Sequence, residues 1–176
     1  MSHVAASVGS TASTQSRALE VTRTIAYWAF TLIVAAEMVA GSLWDLLKIE
    51  WVRVVMTDLG YPHYLLTILG IWKLPCAVTL LVPRFQRLKE WAYAGAFFNF
   101  TGAAASHYFV GDGKWIGPFV FAGFVLASWA LRPLYRRLPD APRTELRPVA
   151  WIVPVAIVGG LVVLALLTLP QGPPPP

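Results

Sequence analysis

The chain has 176 residues, of which 57% are apolar and only 13% charged, with a formal net charge of +5. This balance excludes a disordered chain and is typical of a protein folded in hydrocarbon, so the lipid bilayer is its predicted environment. The basic residues lie at the ends of apolar segments and form no single solvent-facing patch, so we expect no nucleic acid partner. The single Cys76 excludes an intrachain disulfide, a CxxC redox pair and a cysteine-rich zinc site.

The N-terminal part of the chain changes character near residue 22. Residues 1–21 are rich in Ser, Thr and Ala without an apolar core or a basic start, which predicts a disordered cytoplasmic tail and no signal peptide. Residues 23–47 are apolar and, at about 1.5 Å per residue, long enough to cross a hydrocarbon layer of about 30 Å. Residues 48–61 alternate apolar and charged side chains at helical spacing, which predicts a short interfacial helix, or alternatively a lid.

Three further apolar segments complete a predicted four-helix membrane domain over residues 22–136. The second span covers residues 62–82, where Pro75 should kink the helix beside Lys73. The third span, residues 88–113, carries small and polar residues on one side, which indicates a central helix that faces other helices. The fourth span runs from residue 115 to 131.

The C-terminal part predicts an additional fifth transmembrane helix. A hydrophilic stretch rich in Arg and Pro begins at residue 132, and we place the linker proper at 137–148, the fifth helix at 149–170 and a proline-rich tail at 171–176. The N-terminal tail and the second and fourth loops hold ten Lys and Arg residues, whereas the opposite face holds three. The positive-inside rule therefore predicts a cytoplasmic N-terminus and an external C-terminus.

Three polar residues lie near the centres of their predicted spans and therefore at one depth: Glu37, Lys73 and Asn99. A charge at the bilayer centre costs about 2.5–3.5 kcal/mol even on a lenient insertion scale, so we expect Glu37 and Lys73 to pair or to change protonation, with Asn99 as a hydrogen-bonding neighbour of a pair. Two interpretations stay open at this point. The pair is either a structural device that fixes helix register or part of a functional pocket.

A second polar layer is predicted nearer the outer face, formed by Asp45, His63 and Asp112. Ser106 and His107 lie at the outer end of the third helix and complete the pocket candidates. Adjacent residues on a helix point about 100° apart, so Ser106 and His107 do not form a nucleophile and base pair merely by adjacency. The scattered His and Asp residues lack metal-site spacing, and we predict no metal site.

Several short motifs lie in these helices over residues 24–136. They are Glu37, the run GIWKL at 70–74, KEWAYAG at 89–95, TGA at 101–103, SH at 106–107 and GD at 111–112. Together these motifs resemble the DoxX-like family of small bacterial membrane proteins. The resemblance implies a four-helix membrane bundle, and the family pattern falls on Glu37, Lys73, Asn99, Ser106 and His107. Relatives include proteins associated with thiosulfate oxidation to quinone and with oxidative-stress complexes. The fifth helix departs from the family pattern.

Two functions from different classes are consistent with these features. The first is a redox-associated protein of the bacterial inner membrane, whose polar pocket holds a quinone or another small amphipathic molecule. The alternative is a non-catalytic subunit whose polar core is structural and which docks another membrane protein or a second copy of itself. No cofactor is evident beyond the quinone that the first hypothesis invokes. Enzymatic activity stays open; an enzyme of this kind would be an oxidoreductase or an oxidoreductase subunit.

Overall fold

The computed structural model describes residues 2–139 and 149–168. Within them the chain is entirely helical, which confirms the predicted all-α class. The helices are α1 (Ser2–Leu47), α2 (Glu50–Asp58), α3 (Tyr64–Leu81), α4 (Gln86–Val110), α5 (Ile116–Leu131), a short 3-10 turn (Leu134–Arg136) and α6 (Val149–Leu167). They divide into two compact units, residues 1–138 and 139–176.

Four long helices form the core of the first unit. α1 packs against α3 and α5, and α4 packs against the same two helices. Their shared core contains Val34, Met38, Leu80, Ala96, Phe100 and Val125. Small residues such as Ala96 let neighbouring helices approach closely, which suits helices whose outer surfaces are apolar as well.

Helices α1 and α3 approach each other closely at Gly70. The Ser42 hydroxyl donates a hydrogen bond of 2.7 Å to the Gly70 carbonyl. A Cβ atom at position 70 would lie 2.7 Å from Cγ of Leu46 and 3.1 Å from the Ser42 carbonyl oxygen. Glycine is therefore the residue that this helix contact accommodates without displacement.

The start of α1 differs from the sequence-based expectation of a disordered tail, because the helix already begins at Ser2. No proline interrupts the first 61 residues, and several alanines favour the helix. Extending an existing helix adds a hydrogen bond for each residue fixed, so this segment can continue the long apolar helix without a new nucleus. The domain boundary at residue 22 stays a prediction.

Basic side chains donate hydrogen bonds to the last backbone carbonyls of α3 and α5. Arg136 donates to the carbonyls of Leu80, Leu81 and Val82, and the buried Lys89 ammonium donates to the carbonyls of Thr79 and Val82. Arg23 and Arg137 do the same for the end of α5. Because the last carbonyls of a helix lack intrahelical donors, these contacts satisfy groups that would otherwise be unpaired. Residues up to 137 thus belong structurally to the first unit.

Two helices in the described part of the chain are long and apolar enough to cross a membrane, Arg17–Leu47 and Tyr64–Leu81. Shorter apolar helices are Ile116–Leu131 and Val155–Ala165. α6 coincides with most of the predicted fifth span. Most of the predicted linker (140–148), the last two residues of the predicted fifth span and the proline-rich tail lie outside the described residues.

Candidate functional site

The main cavity of the first unit has a volume of about 390 Å³ and is bounded by α1, α2, α4 and α5 together with Lys73 of α3. Its apolar walls include Trp44, Phe100 and Phe121. Its polar groups are concentrated in a few side chains, namely Glu37, Asp45, Lys73, Asn99, His107 and Lys114. Four of the five predicted pocket residues therefore line one cavity.

Lys73 forms an ion pair with Asp45, and the predicted pairing with Glu37 is wrong. The Nζ atom of Lys73 lies 2.7 Å from Oδ2 of Asp45, and the two side chains are 18% and 5% exposed. Rise per residue predicts a similar depth for Lys73 and Glu37, but it does not account for the reach of a lysine side chain. That reach carries the ammonium outward by about one to two helical turns of α1.

Gly41 explains why the ammonium can rest against α1. Glu37, Gly41 and Asp45 are spaced four residues apart and so lie on one helical face. A Cβ atom at Gly41 would lie 3.2 Å from Nζ of Lys73. The ammonium therefore lies over the glycine, bonded to Asp45 on one side, while Glu37 lines the cavity one turn away on the other side.

His107 and Asp112 form a hydrogen-bonded pair beside the cavity. Nδ1 of His107 lies 2.7 Å from Oδ2 of Asp112, and the backbone N–H of Lys114 donates a 2.9 Å hydrogen bond to Oδ1. The Lys114 backbone hydrogen bond, helped by the His107 contact, lowers the pKa of the Asp112 carboxyl. An ionised carboxylate only accepts hydrogen bonds, so Nδ1 must carry the proton and Nε2 stays available.

The turn after α4 brings Asp112 back to His107. Gly111 ends the helix with a φ of 76° and Gly113 follows with a φ of 73°, both in the left-handed region that glycine tolerates. The Gly111 N–H bonds to the His107 carbonyl at 3.1 Å. The sequence predicts an outer polar position for both residues but does not predict this contact. The sequence signal for it is a histidine in the last helical turn followed by Gly-Asp-Gly.

Two predicted residues lie away from the main cavity. Ser106 forms a 2.8 Å hydrogen bond with the Tyr61 hydroxyl and donates to the Gly102 carbonyl, and it does not line the cavity. His63 is exposed and bonds to the Thr57 hydroxyl at 3.0 Å. Asn99, by contrast, lines both the main cavity and a smaller neighbouring one.

Helix α2 covers one side of the cavity. This position corresponds to the lid that the sequence allows as the alternative to an interfacial helix. Trp51, Val52 and Val55 line the cavity, and Val52 is buried. The opposite side of the same helix carries the exposed ion pair between Glu50 and Arg53 at 3.2 Å. Its amphipathic pattern thus places the apolar side over the cavity.

In residues 2–139 and 149–168 the fold is all-helical, and it holds the Lys73–Asp45 ion pair, Glu37 and His107 at a cavity with largely apolar walls. A model of the DoxX-like family matches residues 29–130, more than half of the chain, and the chain belongs to this family. The match contains every pocket candidate from Glu37 to His107. Comparisons with curated proteins and with solved structures gave no match.

Proposed function

We propose that this DoxX-like protein is a membrane-spanning, redox-associated protein whose main cavity binds a quinone or another small amphipathic molecule. The observation that carries the proposal is an apolar cavity whose wall holds the Lys73–Asp45 ion pair, Glu37 and His107, the last bonded to Asp112. Buried charges are costly, and their concentration in a ligand-sized cavity is typical of a binding site.

The proposed membrane arrangement is a four-helix bundle of α1, α3, α4 and α5 with α6 as a fifth span. Large apolar side chains point outward from the first unit, including Trp91 at 78%, Phe98 at 69% and Phe109 at 83% exposure. Many large apolar side chains exposed in this way are unfavourable in water and suit lipid. We place the protein in the bacterial inner membrane with its N-terminus in the cytoplasm and its C-terminus outside, from the distribution of Lys and Arg.

The size and chemistry of the cavity suit a quinone ring. A volume of about 390 Å³ falls in the usual range for small-molecule sites, about 300–1,000 Å³. Phe100 and Phe121 offer flat apolar surface to the ring. The Lys73 ammonium and the Asn99 amide are donors that can meet its carbonyl oxygens. His107 adds Nε2–H as a further donor when its imidazole is protonated on both nitrogens.

The charged groups also suit proton exchange with such a ligand. Conversion of a quinone to a quinol takes up two electrons and two protons. Glu37 and His107 are titratable cavity residues that can exchange protons, and Asp112 fixes the tautomer of His107. In this proposal the electrons come from a partner redox protein in the same membrane, so the chain acts as an oxidoreductase subunit.

Ligand retention by two histidine variants tests the proposal. The full chain is purified from native membranes in mild detergent, and retained small molecules are identified by mass spectrometry and titrated back after their removal. We expect the wild type to retain a quinone, and His107→Leu to bind it about three- to tenfold more weakly because a hydrogen bond is lost. His63→Leu is the matched control, since His63 does not line the cavity. A wild type that neither retains nor rebinds a quinone, or equal losses in both variants, contradicts the proposal.

A non-catalytic assembly subunit is the second candidate function. It is favoured by the Lys73–Asp45 pair, which is satisfied within the chain and can serve as a structural fixture without any ligand. The apolar α6, with adjacent Gly159 and Gly160, would then provide the helix surface for a membrane partner or a second copy. In that case the double variant Lys73→Met with Asp45→Asn keeps both stability and assembly, whereas the quinone proposal expects it to lose ligand affinity.

A further inference from the structure

A second cavity of about 260 Å³ lies between α3 and α4, against Met38 of α1. Its walls are Leu69, Trp72, Gly95 and Ala96, together with Lys73 and Asn99. Trp72 is 71% exposed, so this cavity is a groove at the outer surface of the helical unit. We call it the α3–α4 groove.

The α3–α4 groove and the main cavity share two wall residues, Lys73 and Asn99. Both side chains border the groove as well as the main cavity, and they are also the donors proposed for the ligand head group. A molecule bound by them in the main cavity therefore lies next to the groove, and a tail that enters the groove would pass beside Lys73 and Asn99.

Apart from these two shared residues, the walls of the groove are apolar. They are built from a methionine, a leucine, a tryptophan, an alanine and a glycine. A Cβ atom at Gly95 would meet nothing within 4 Å, so the missing side chain leaves open space at this point of α4. Such a surface can bury a flexible hydrocarbon chain, whereas among these five residues a polar group would find only the Trp72 indole N–H as a side-chain partner.

We infer that the α3–α4 groove holds the apolar tail of a ligand whose head group lies in the main cavity. This assigns the ligand class as amphipathic molecules with one polar ring and one flexible isoprenoid or alkyl tail, and it makes Gly95 a specificity-determining residue. The inference rests on the proposed function. It further places the route of entry and exit on the side of the unit that faces lipid.

Two quinones that differ only in the tail test this inference. Binding of ubiquinone-2, which carries two isoprenoid units, and of the tail-free 2,3-dimethoxy-5-methyl-1,4-benzoquinone is measured by tryptophan quenching with the full chain in lipid nanodiscs. Gly95→Leu fills the open space of the groove. It should weaken ubiquinone-2 binding about tenfold, as expected when roughly two methylene groups no longer fit, and change binding of the tail-free quinone less than about twofold.

Gly123→Leu on α5 is the matched control, because its Cβ would also meet open space and α5 contributes nothing to the groove. It should leave both affinities within about twofold of wild type. Trp72→Ala is a second variant, which removes an exposed wall of the groove without opening the core, and it should also weaken ubiquinone-2 selectively.

The outcomes separate the inference from the function on which it rests. Unchanged ubiquinone-2 binding in Gly95→Leu and Trp72→Ala, or equal losses for both quinones, overturns the tail site while leaving the main cavity as a quinone site. A wild type that binds neither quinone overturns both. If Gly95→Leu fails to fold, Trp72→Ala alone decides: a loss confined to ubiquinone-2 supports the tail site, and any other result overturns it.

Discussion

At the scale of single residues, the site depends on where Lys73 places its ammonium. The group lies over Gly41, bonded to Asp45, with Glu37 one turn away along the same helix face. Asp45 is the most buried of the three charged groups, and the ion pair with Lys73 offsets the cost of burying its charge. Glu37 takes part in neither pair of the site within the described residues, which leaves its carboxyl free for a ligand or a proton.

The partner of Lys73 can be identified by a pair of double variants. Lys73→Met should lower the free energy of unfolding by about 3 kcal/mol, because it leaves the buried Asp45 carboxylate without a counter-charge. Adding Asp45→Asn should recover most of that loss, since both charges are then absent. The measurement is thermal and denaturant unfolding in mild detergent.

Glu37→Gln combined with Lys73→Met is the control for this cycle. It removes the carboxylate that is not bonded to Lys73, so it should recover little of the lost stability. Equal rescue by the Glu37 and Asp45 double variants would show that the ammonium is shared between the two carboxylates, in contradiction to the observed pairing.

At the scale of helices, the C-terminal ends of α3 and α5 depend on side chains that follow α5. Arg136 is 2% exposed, donates to three consecutive carbonyls at the end of α3, and stacks over the rings of Tyr27 and Trp28 at 5.6 and 4.9 Å. Charge-assisted hydrogen bonds of this kind contribute more than neutral ones. The 3-10 turn thus fastens the end of α3 to the start of the apolar part of α1.

Truncation at two positions tests this contribution. A chain ending at residue 138 keeps Arg136 and should remain folded and monodisperse, because the boundary between the two units falls there. A chain ending at residue 133 keeps Arg132 but loses Arg136 and Arg137, and it should unfold at least about 2 kcal/mol more easily, since several buried carbonyls lose their donors. Size-exclusion chromatography and thermal unfolding provide the readout. Equal stability of the two chains, or aggregation of the longer one, would contradict this account.

At the scale of the whole molecule, the sequence predicts more of the helices than of their contacts. Apolar length and periodicity indicated α3, α4 and α5 because those features follow directly from burial or lipid exposure along a helix. Glu37, Lys73 and Asn99 lie near the centres of their predicted spans, and all three line one cavity. The Lys73–Asp45 pair was not predictable in this way, because it depends on side-chain reach and on the space above Gly41.

Hydrophobic periodicity in the sequence also does not predict contacts that depend on backbone turns. The bond between His107 and Asp112 requires the reversal at Gly111 and Gly113, which periodicity does not describe. The position of α2 over the cavity follows from the loops on either side of that helix. The four-residue spacing of Glu37, Gly41 and Asp45 is visible in the sequence. Only the structure shows which of the two carboxylates bonds to the Lys73 ammonium.

The most direct test of the central claim is an experimental structure of the full chain, crystallised from a lipidic phase with ubiquinone-2 added. We expect electron density for the quinone ring in the main cavity, with a carbonyl oxygen within hydrogen-bonding distance of Lys73, Asn99 or His107. A cavity filled by ordered water or by repacked side chains, with the quinone bound elsewhere or absent, would contradict it.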